Sequence, residues 1–226
     1  VTVTVLRDGK ELSFTMVRRS FTEETVTYEI NEDKIAYIRI TQFKANTGDQ
    51  FVAAMDAIGK AGARAVIFDV RANPGGYLSS VITAIDALAP KGETIVSFGG
   101  YAKPVVSTDE RQLKIPAVVL CNGYTASAGE LFTAALRDYA KLAENPLDVT
   151  IIGTTTYKKG VMQTTYTLSD QSTVTLTISV YNPPSGVNYD GVGITPDVTV
   201  ENTDDGTDRQ LAEAYRLLGG KLGSDQ

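Results

Sequence analysis

The sequence of 226 residues predicts an α/β fold with a mixed sheet and βαβ crossovers, followed by a β-rich C-terminal part. Two observations lead to this prediction. Residues 65–70 and 118–121 are apolar at nearly every position, which is typical of strands in a sheet covered on both faces. Segments with helical spacing of apolar residues alternate with these strands, as they do in βαβ units.

The first predicted elements are strands. Residues 1–6 and 11–17 alternate with period two around a tight-turn signal, which predicts a β-hairpin. An isolated hairpin is marginally stable in water, so we expect it to belong to a larger unit. The sequence begins within a strand and without methionine, so we expect a fragment of a longer protein, with any targeting segment upstream. Residues 26–30 and 35–40 are predicted as two further strands.

Three helices are predicted between the central strands. Their apolar residues follow helical spacing after Gly48, from Leu78 and after Ser127. Residues 94–98 and 149–152 are predicted as strands.

The pattern changes after Gln163. Residues 164–168 and 172–180 alternate around a turn and predict a second hairpin. Residues 101–114 and 201–209 are polar and are predicted as loops. A last helix is predicted over residues 209–218, ending at the two glycines that follow, because glycine commonly ends helices.

Composition excludes several function classes. The formal net charge of −6 argues against nucleic acid as a partner, because phosphate binding requires a basic face. No apolar run is long enough for a membrane span. The one cysteine, Cys121, ends an apolar run and is interpreted as a core residue.

Ser127 is the first candidate for catalysis. It lies at a strand-to-helix turn, and the chain contains no histidine, so its base cannot be imidazole. Lys159, just past the next predicted strand, is the best remaining candidate. Alternatively, Ser127 and Glu130 form a capping box with no role in chemistry. Both roles are compatible if Thr125 caps the helix and leaves Ser127 on its first turn.

The neighbouring candidates also have two interpretations. Lys159 is either a solvated surface lysine or a base kept neutral by burial and bound substrate. Gln163 lies on the same face in an extended segment and could orient the amine. Gly75 and Gly76 either mark a turn or expose N–H groups as an oxyanion hole. Asp138 is about 16 Å along the helix from Ser127, which indicates a structural role.

Four stretches together resemble the carboxyl-terminal processing (tail-specific) proteases, which are serine peptidases with a Ser-Lys catalytic pair. They occur in the order of that family and cover residues 25–200. The stretches are 69–76 (DVRANPGG), 124–130 (YTASAGE), 156–163 (TYKKGVMQ) and 184–197, which opens with PSG and closes with GITPD.

The resemblance implies a Clp/crotonase-like protease core that needs no metal or cofactor. It assigns Ser127 as nucleophile, Lys159 as general base and Gln163 as the residue that orients the lysine. It further implies an oxyanion hole formed by Gly75, Gly76 and Ala128. The residues that it implies as supports of the site are Glu130, Asp138 and Thr156.

Two positions depart from the family pattern. Gly129 stands where serine is usual, and Lys158 stands where glycine is usual. A second lysine beside the base could alter its protonation or the geometry of the loop.

The resemblance also predicts domains and partners. Residues 1–20 would be a remnant of a PDZ-like module and residues 21–226 the protease core. The substrate would be a protein or peptide tail bound as an extended strand, in an extracytoplasmic compartment: the cell envelope, the periplasm or the secreted space. The oligomeric state stays open. The alternative function is a non-catalytic or gated module of the same fold that binds apolar ligands or partner C-termini.

Overall fold

The computed structural model describes residues 1–100 and 103–224 and has the predicted α/β architecture with a mixed sheet. In chain order the elements are β1 (Thr2–Arg7), β2 (Lys10–Thr15), β3 (Val26–Ile30), β4 (Ile35–Ile40), α1 (Thr47–Lys60), β5 (Ala65–Asp69), α2 (Leu78–Asp86), β6 (Thr94–Phe98), β7 (Val105–Val106), β8 (Ala117–Cys121), α3 (Ala128–Tyr139), β9 (Val149–Gly153), β10 (Val161–Thr167), β11 (Thr173–Asn182), β12 (Val198–Thr199) and α4 (Arg209–Ser224).

A six-stranded sheet forms the centre, in the order β12-β9-β8-β5-β4-β3. β3 and β4 pair antiparallel, and every other neighbouring pair is parallel. Because parallel strands point the same way, the loops after β5, β8 and β9 leave from the same edge of the sheet. These loops contain the glycine pair, Ser127 and Lys159.

The central strands of this sheet, β5 and β8, are buried on both faces. Val66 and Phe68 point into the larger core with α1, α2 and α3, whereas Ile67 points into a smaller core with α4. Successive strand residues alternate between the faces, so a strand buried on both must be apolar throughout. In the larger core, Phe132 of α3 packs against three other phenylalanine rings at centroid distances of 5.7–6.2 Å: Phe43, Phe51 and Phe68.

Two antiparallel sheets complete the fold. A four-stranded sheet has the order β10-β11-β6-β7, and β10 is one of its edges. The N-terminal hairpin of β1 and β2 forms a two-stranded sheet in which Val3 pairs with Phe14 and Val5 with Leu12. That this hairpin belongs to a PDZ-like module stays a prediction.

The prediction that the last helix ends at Gly219 and Gly220 is wrong. α4 continues through both glycines to Ser224. Leu218 and Leu222, on either side of the pair, both pack in the smaller core, and this burial outweighs the low helix propensity of glycine.

Two short strands, β7 and β12, were not predicted. β7 lies within the predicted loop 101–114, of which residues 101 and 102 lie outside the described residues. Within the described part of the chain, no helix combines the length and apolar character required to cross a bilayer.

Candidate active site

Ser127 occupies a strained turn between β8 and α3. Its backbone angles are φ 53° and ψ −114°, in the left-handed half of the map that non-glycine residues rarely adopt. Strain of this kind persists where the surrounding structure over-determines it, and it clusters at functional sites. The surroundings here are rigid, because α3 is buried at nearly every position.

Ser127 is the N-cap of α3, and it forms the capping box with Glu130. Its N–H donates to Oε2 of Glu130 over 3.0 Å. The alternative in which Thr125 caps the helix is therefore wrong. The buried Thr125 hydroxyl donates to the carbonyl of Val70 and accepts from the N–H of Asn122, so it joins the ends of two strands instead.

The carboxylate of Glu130 connects the serine turn to the lysine loop. It is fully buried, and each oxygen accepts two hydrogen bonds. Oε2 accepts from the N–H groups of Ser127 and Lys159 (3.0 and 2.8 Å). Oε1 accepts from the Thr156 hydroxyl and the Lys158 N–H (2.6 and 2.7 Å). This carboxylate thereby fixes the backbone of both candidate catalytic residues.

Lys159 is half-buried on the loop between β9 and β10. Its Nζ donates to Oε1 of Gln163 over 3.0 Å, so Gln163 lies where it can orient the amine. Among the hydrogen bonds of the described residues, none joins Nζ of Lys159 to the hydroxyl of Ser127. The two groups nevertheless line one cavity.

That cavity, the Ser127 cavity, has a volume of about 400 Å³. Its walls combine the candidate catalytic groups with apolar side chains. The lining residues are Pro74, Gly76, Tyr77, Leu78, Ser127, Ala128, Lys159, Val161, Met162, Gln163, Thr164 and Tyr181.

The two glycines of the loop after β5 have different roles. The Gly75 N–H donates to Oδ1 of the buried Asn73 over 2.8 Å and is already engaged. Gly75 instead permits close packing, because a Cβ there would lie 2.8 Å from Cβ of Ser127. Gly76 lines the cavity, and neither its N–H nor that of Ala128 has a hydrogen-bond partner among the described residues.

Gly76 is also the tightest point of the loop. Its φ is 139°, and a Cβ would lie 2.0 Å from the carbonyl oxygen of Phe43. That oxygen accepts from the N–H of Tyr77, and the carbonyl of Gly75 accepts from the N–H of Phe43. Only glycine fits at this position without displacing the backbone.

Arg71 anchors the start of the same loop to α4. Its guanidinium donates to Asp69 at the end of β5 and, through both terminal nitrogens, to Asp208 at 2.7 and 2.8 Å. Asp208 also accepts from the N–H of Leu211 in the first turn of α4. The helix on the far face of the sheet thus holds the loop that carries Gly76.

Asp138 and Thr156, predicted to support the site, do not line the Ser127 cavity. Asp138 pairs with Arg137 and accepts from the N–H of Ser185 over 3.1 Å, which fixes the turn after β11. Thr156 donates to Glu130 and accepts from the N–H of Ile194 over 2.8 Å.

The two departures from the family pattern are accommodated differently. A Cβ at Gly129 would lie 3.1 Å from the carbonyl oxygen of Asn73 and 3.2 Å from Cγ2 of Thr125, so a serine there would require a small shift. Lys158 adopts φ 83°, a conformation suited to glycine, and it is exposed. This strained residue directly precedes Lys159 on the same loop.

Sequence reasoning gave no role to Tyr181 and Tyr189, although both lie beside the site. Their hydroxyls donate to the carbonyls of Lys159 and Ser127, over 3.2 and 3.4 Å respectively. Burial raises the pKa of Tyr181, although contacts with the side chains of Tyr189 and Ser127 act in the opposite direction. Burial also raises the pKa of Tyr189 well above its ordinary value. The sequence signal was their position, with Tyr181 shortly before and Tyr189 within the last resembling stretch.

The chain was compared with protein families and with proteins of known sequence. The profile of peptidase family S41 matches residues 34–200. A carboxy-terminal-processing protease of Bartonella bacilliformis is 34% identical over all of this chain and 51% of its own length. The carboxy-terminal processing protease CtpA of Bacillus subtilis is 35% identical over 85% of this chain and 41% of its own length. The chain therefore spans about half the length of these relatives.

Solved structures give the same fold. A photosystem II D1 C-terminal processing protease superposes with a TM-score of 0.70 at 27% identity, over 93% of this chain and 56% of that one. A lipoprotein from Streptococcus agalactiae superposes with a TM-score of 0.66 over 88% of this chain and 71% of its own. At 18% identity, the second likeness concerns the fold alone.

Proposed function

This chain belongs to peptidase family S41, and we propose that it is the catalytic part of a serine endopeptidase with Ser127 as nucleophile and Lys159 as general base. The resemblance inferred from the four sequence stretches is confirmed at the level of the family. The Ser-Lys mechanism, the site residues and the substrate are part of the proposal.

One observation supports this function above others. Oε2 of Glu130 accepts from the N–H groups of both Ser127 and Lys159, and both residues line one cavity. A buried carboxylate is costly unless it is well bonded, so its four hydrogen bonds make this corner rigid. A rigid frame that brings a serine and a lysine to one cavity suits nucleophilic catalysis.

The proposed chemistry uses only groups of this chain. The Ser127 hydroxyl attacks the substrate carbonyl while its proton passes to the neutral amine of Lys159. The protonated amine then gives that proton to the leaving amino group, and an acyl-enzyme remains. Water, activated by the same amine, hydrolyses this ester and restores Ser127.

The oxyanion of each tetrahedral intermediate is proposed to accept from the N–H groups of Gly76 and Ala128. Both residues line the Ser127 cavity, and Ala128 is the first residue of α3, where the helix dipole favours negative charge. Gly75 then contributes close packing against Ser127 rather than a donor, because its N–H is bonded to Asn73.

Lys159 must be neutral to act as a base. In the structure Lys159 is half-buried, and its amine is bonded to Gln163. A bound peptide would exclude water from the cavity, and desolvation favours the neutral amine. Gln163 can hold one N–H of that amine while the lone pair turns toward Ser127, so substrate binding would complete the catalytic pair.

The substrate is proposed to be a protein or peptide tail that adds a strand to β10. β10 is an edge strand, and its first residues line the Ser127 cavity. An exposed edge offers unpaired backbone groups that bind an extended peptide. Cleavage near a C-terminus is proposed from the names of the relatives, and an extracytoplasmic location is proposed from the family resemblance.

A serine-directed fluorophosphonate probe tests the mechanism. We expect covalent labelling at Ser127, no labelling in Ser127→Ala, and labelling slowed about 100-fold or more in Lys159→Ala, the range of general-base contributions. Thermal unfolding of each variant checks that the fold is retained. Undiminished labelling of Ser127→Ala or Lys159→Ala would rule out the mechanism.

The alternative function is a gated or non-catalytic module that binds peptide tails. The hydrogen bond of the lysine amine to Gln163, in place of one to Ser127, favours this candidate. The same probe separates the two, because a gated site stays unlabelled until a peptide ligand is added and a non-catalytic one stays unlabelled throughout.

A further inference from the structure

A second cavity opens beside the Ser127 cavity and shares three of its lining residues, Gly76, Tyr77 and Gln163. We name it the Phe21 cavity, because Phe21 forms its rim. Its volume is about 910 Å³, near the upper end of the range for ligand-binding cavities. The two cavities are therefore neighbours that share part of their lining.

The three shared residues mark where a peptide would pass from one cavity to the other. Gly76 is a proposed oxyanion donor, so the carbonyl under attack lies at these residues. Ser127 and Lys159 line the first cavity only. A peptide held for cleavage in the Ser127 cavity would therefore reach the Phe21 cavity at these shared residues, on one side of its scissile bond.

Two exposed aromatic side chains line the Phe21 cavity. Phe21 is 84% exposed and Tyr77 is 61% exposed, and the buried Phe43 also contributes to the lining. Single exposed apolar residues are ordinary, but an apolar cluster rimmed by polar groups marks an interaction site. Aromatic rings offer a large contact area to an apolar side chain.

The charged groups of the cavity neutralise each other. Lys44 and Glu23 form an ion pair, and Gln42 and Asn46 are uncharged. A charged substrate side chain would meet no unpaired partner there and would lose its hydration. The lining therefore favours an uncharged side chain.

The rim is also held in place. Glu23, two residues after Phe21, accepts at its carbonyl from the side-chain amides of Asn46 and Gln50 over 3.2 and 2.8 Å. Together with the ion pair to Lys44, these bonds fix the segment that carries Phe21 against the start of α1. A preformed rim spares a bound peptide the cost of ordering it.

We propose that the Phe21 cavity is a specificity subsite that binds an apolar or aromatic side chain of the substrate. That side chain belongs to the part of the peptide that leaves the Ser127 cavity past Gly76, on one side of the scissile bond. This inference rests on the proposed peptidase function and adds the class of side chain selected. Phe21 and Tyr77 contact that side chain, and the Lys44–Glu23 pair disfavours an acidic or basic one.

Internally quenched peptides with a constant small-residue background test the subsite. Single Phe, Ala or Asp residues are placed at each of four positions on both sides of the scissile bond, and kcat/KM is measured for the full chain. We expect at least one position on one side to prefer Phe over Ala by about tenfold or more, the range for hydrophobic pockets, and to disfavour Asp.

In Phe21→Ala that preference should fall to about twofold or less, because the ring that contacts the side chain is gone. Phe14→Ala is the matched control, since it removes an exposed phenylalanine from β2, and the preference should be unchanged. The absence of a Phe preference at every position, or an equal preference in Phe21→Ala, would overturn the subsite.

A binding assay separates the subsite from the catalytic proposal. In the Ser127→Ala background, fluorescence anisotropy of labelled Phe and Ala peptides is measured with and without Phe21→Ala. Tighter Phe binding that depends on Phe21, together with no turnover by the parent chain, would remove the peptidase function and keep the subsite. A lack of Phe21 dependence in both assays removes the subsite.

Discussion

Ser127 and Lys159 share a hydrogen-bond acceptor: the backbone N–H of each donates to Oε2 of Glu130, over 3.0 and 2.8 Å. Their relative position is therefore set through the backbone and does not depend on contact between the two side chains. The other oxygen of Glu130 accepts from Thr156 and Lys158, so the whole loop is held by this carboxylate.

Glu130→Gln should impair both activity and stability. Each carboxylate oxygen accepts two hydrogen bonds, so either orientation of a glutamine amide places its NH₂ group against two donors. We expect a loss of about 2–4 kcal/mol in the free energy of unfolding, the range for breaking a buried charged network. Urea unfolding and peptide hydrolysis measure the two effects.

The matched control for this prediction is Glu144→Gln, because Glu144 is exposed. Its unfolding free energy should change by no more than about 0.5 kcal/mol. Equal stability of Glu130→Gln and the parent would show that the carboxylate does not hold the two loops.

Lys158→Gly should stabilise the protein. Lys158 adopts φ 83°, which costs a non-glycine residue about 1–2 kcal/mol, and glycine removes this strain. Part of the stabilisation is offset because glycine has greater conformational freedom in the unfolded chain. The expected net gain is about 0.5–1 kcal/mol by urea unfolding. The same substitution at Lys60, in the last turn of α1, should destabilise. A loss of stability in Lys158→Gly would contradict the strain.

Gly76→Ala should disrupt the site, because a Cβ would lie 2.0 Å from the carbonyl oxygen of Phe43. Relief of this clash must move the loop that carries the proposed oxyanion donor. We expect hydrolysis to fall about 100-fold or more, as for removal of an oxyanion-hole donor. In contrast, Gly59→Ala in α1 meets no atom within 4 Å and should be neutral or stabilising. Full activity of Gly76→Ala would remove Gly76 from the mechanism.

Asp208→Asn should lower stability in a pH-dependent way. Burial acts to raise the pKa of Asp208, but hydrogen bonds from Arg71 and the N–H of Leu211 outweigh it and lower the pKa to about 2. Because its pKa is lower in the folded protein, the Asp208 carboxylate stabilises the fold at pH values above its unfolded-state pKa near 4. This stabilisation is lost as the pH falls toward 2. Because the side chain is 39% exposed, we expect only about 1 kcal/mol at neutral pH.

Urea unfolding of the parent and of Asp208→Asn at pH 6, 4 and 2.5 measures this contribution. The difference between the two proteins should be largest at pH 6 and should shrink on acidification. A difference that is constant across these pH values would assign the effect to packing instead of charge.

The central strands and the serine turn could be predicted because their signals are local. β5 and β8 are buried on both faces, and their continuous apolar sequences predict this burial. The capping-box spacing of Ser127 and Glu130 was likewise sufficient to predict the start of α3. In each case the residues that determine the structure are neighbours along the chain.

The remaining features depend on contacts between distant residues. The sequence could not reveal that Asn73 occupies the N–H of Gly75, or that Tyr181 and Tyr189 reach the carbonyls of Lys159 and Ser127. The glycines within α4 misled the prediction for the same reason: packing on the sheet decides the helix, and that packing is visible only in three dimensions.

The smaller core bears on how this polypeptide can be shortened. One face of the central sheet is covered by Ala214, Leu218 and Leu222 of α4. Asp208, at the start of this helix, accepts hydrogen bonds from Arg71. A version trimmed before Asp208 would expose that apolar sheet face to water, which favours aggregation, and would remove the partner that holds Arg71 and the loop leading to Gly76. Insoluble material is the expected product, so a usable C-terminal boundary for recombinant work lies beyond Leu222.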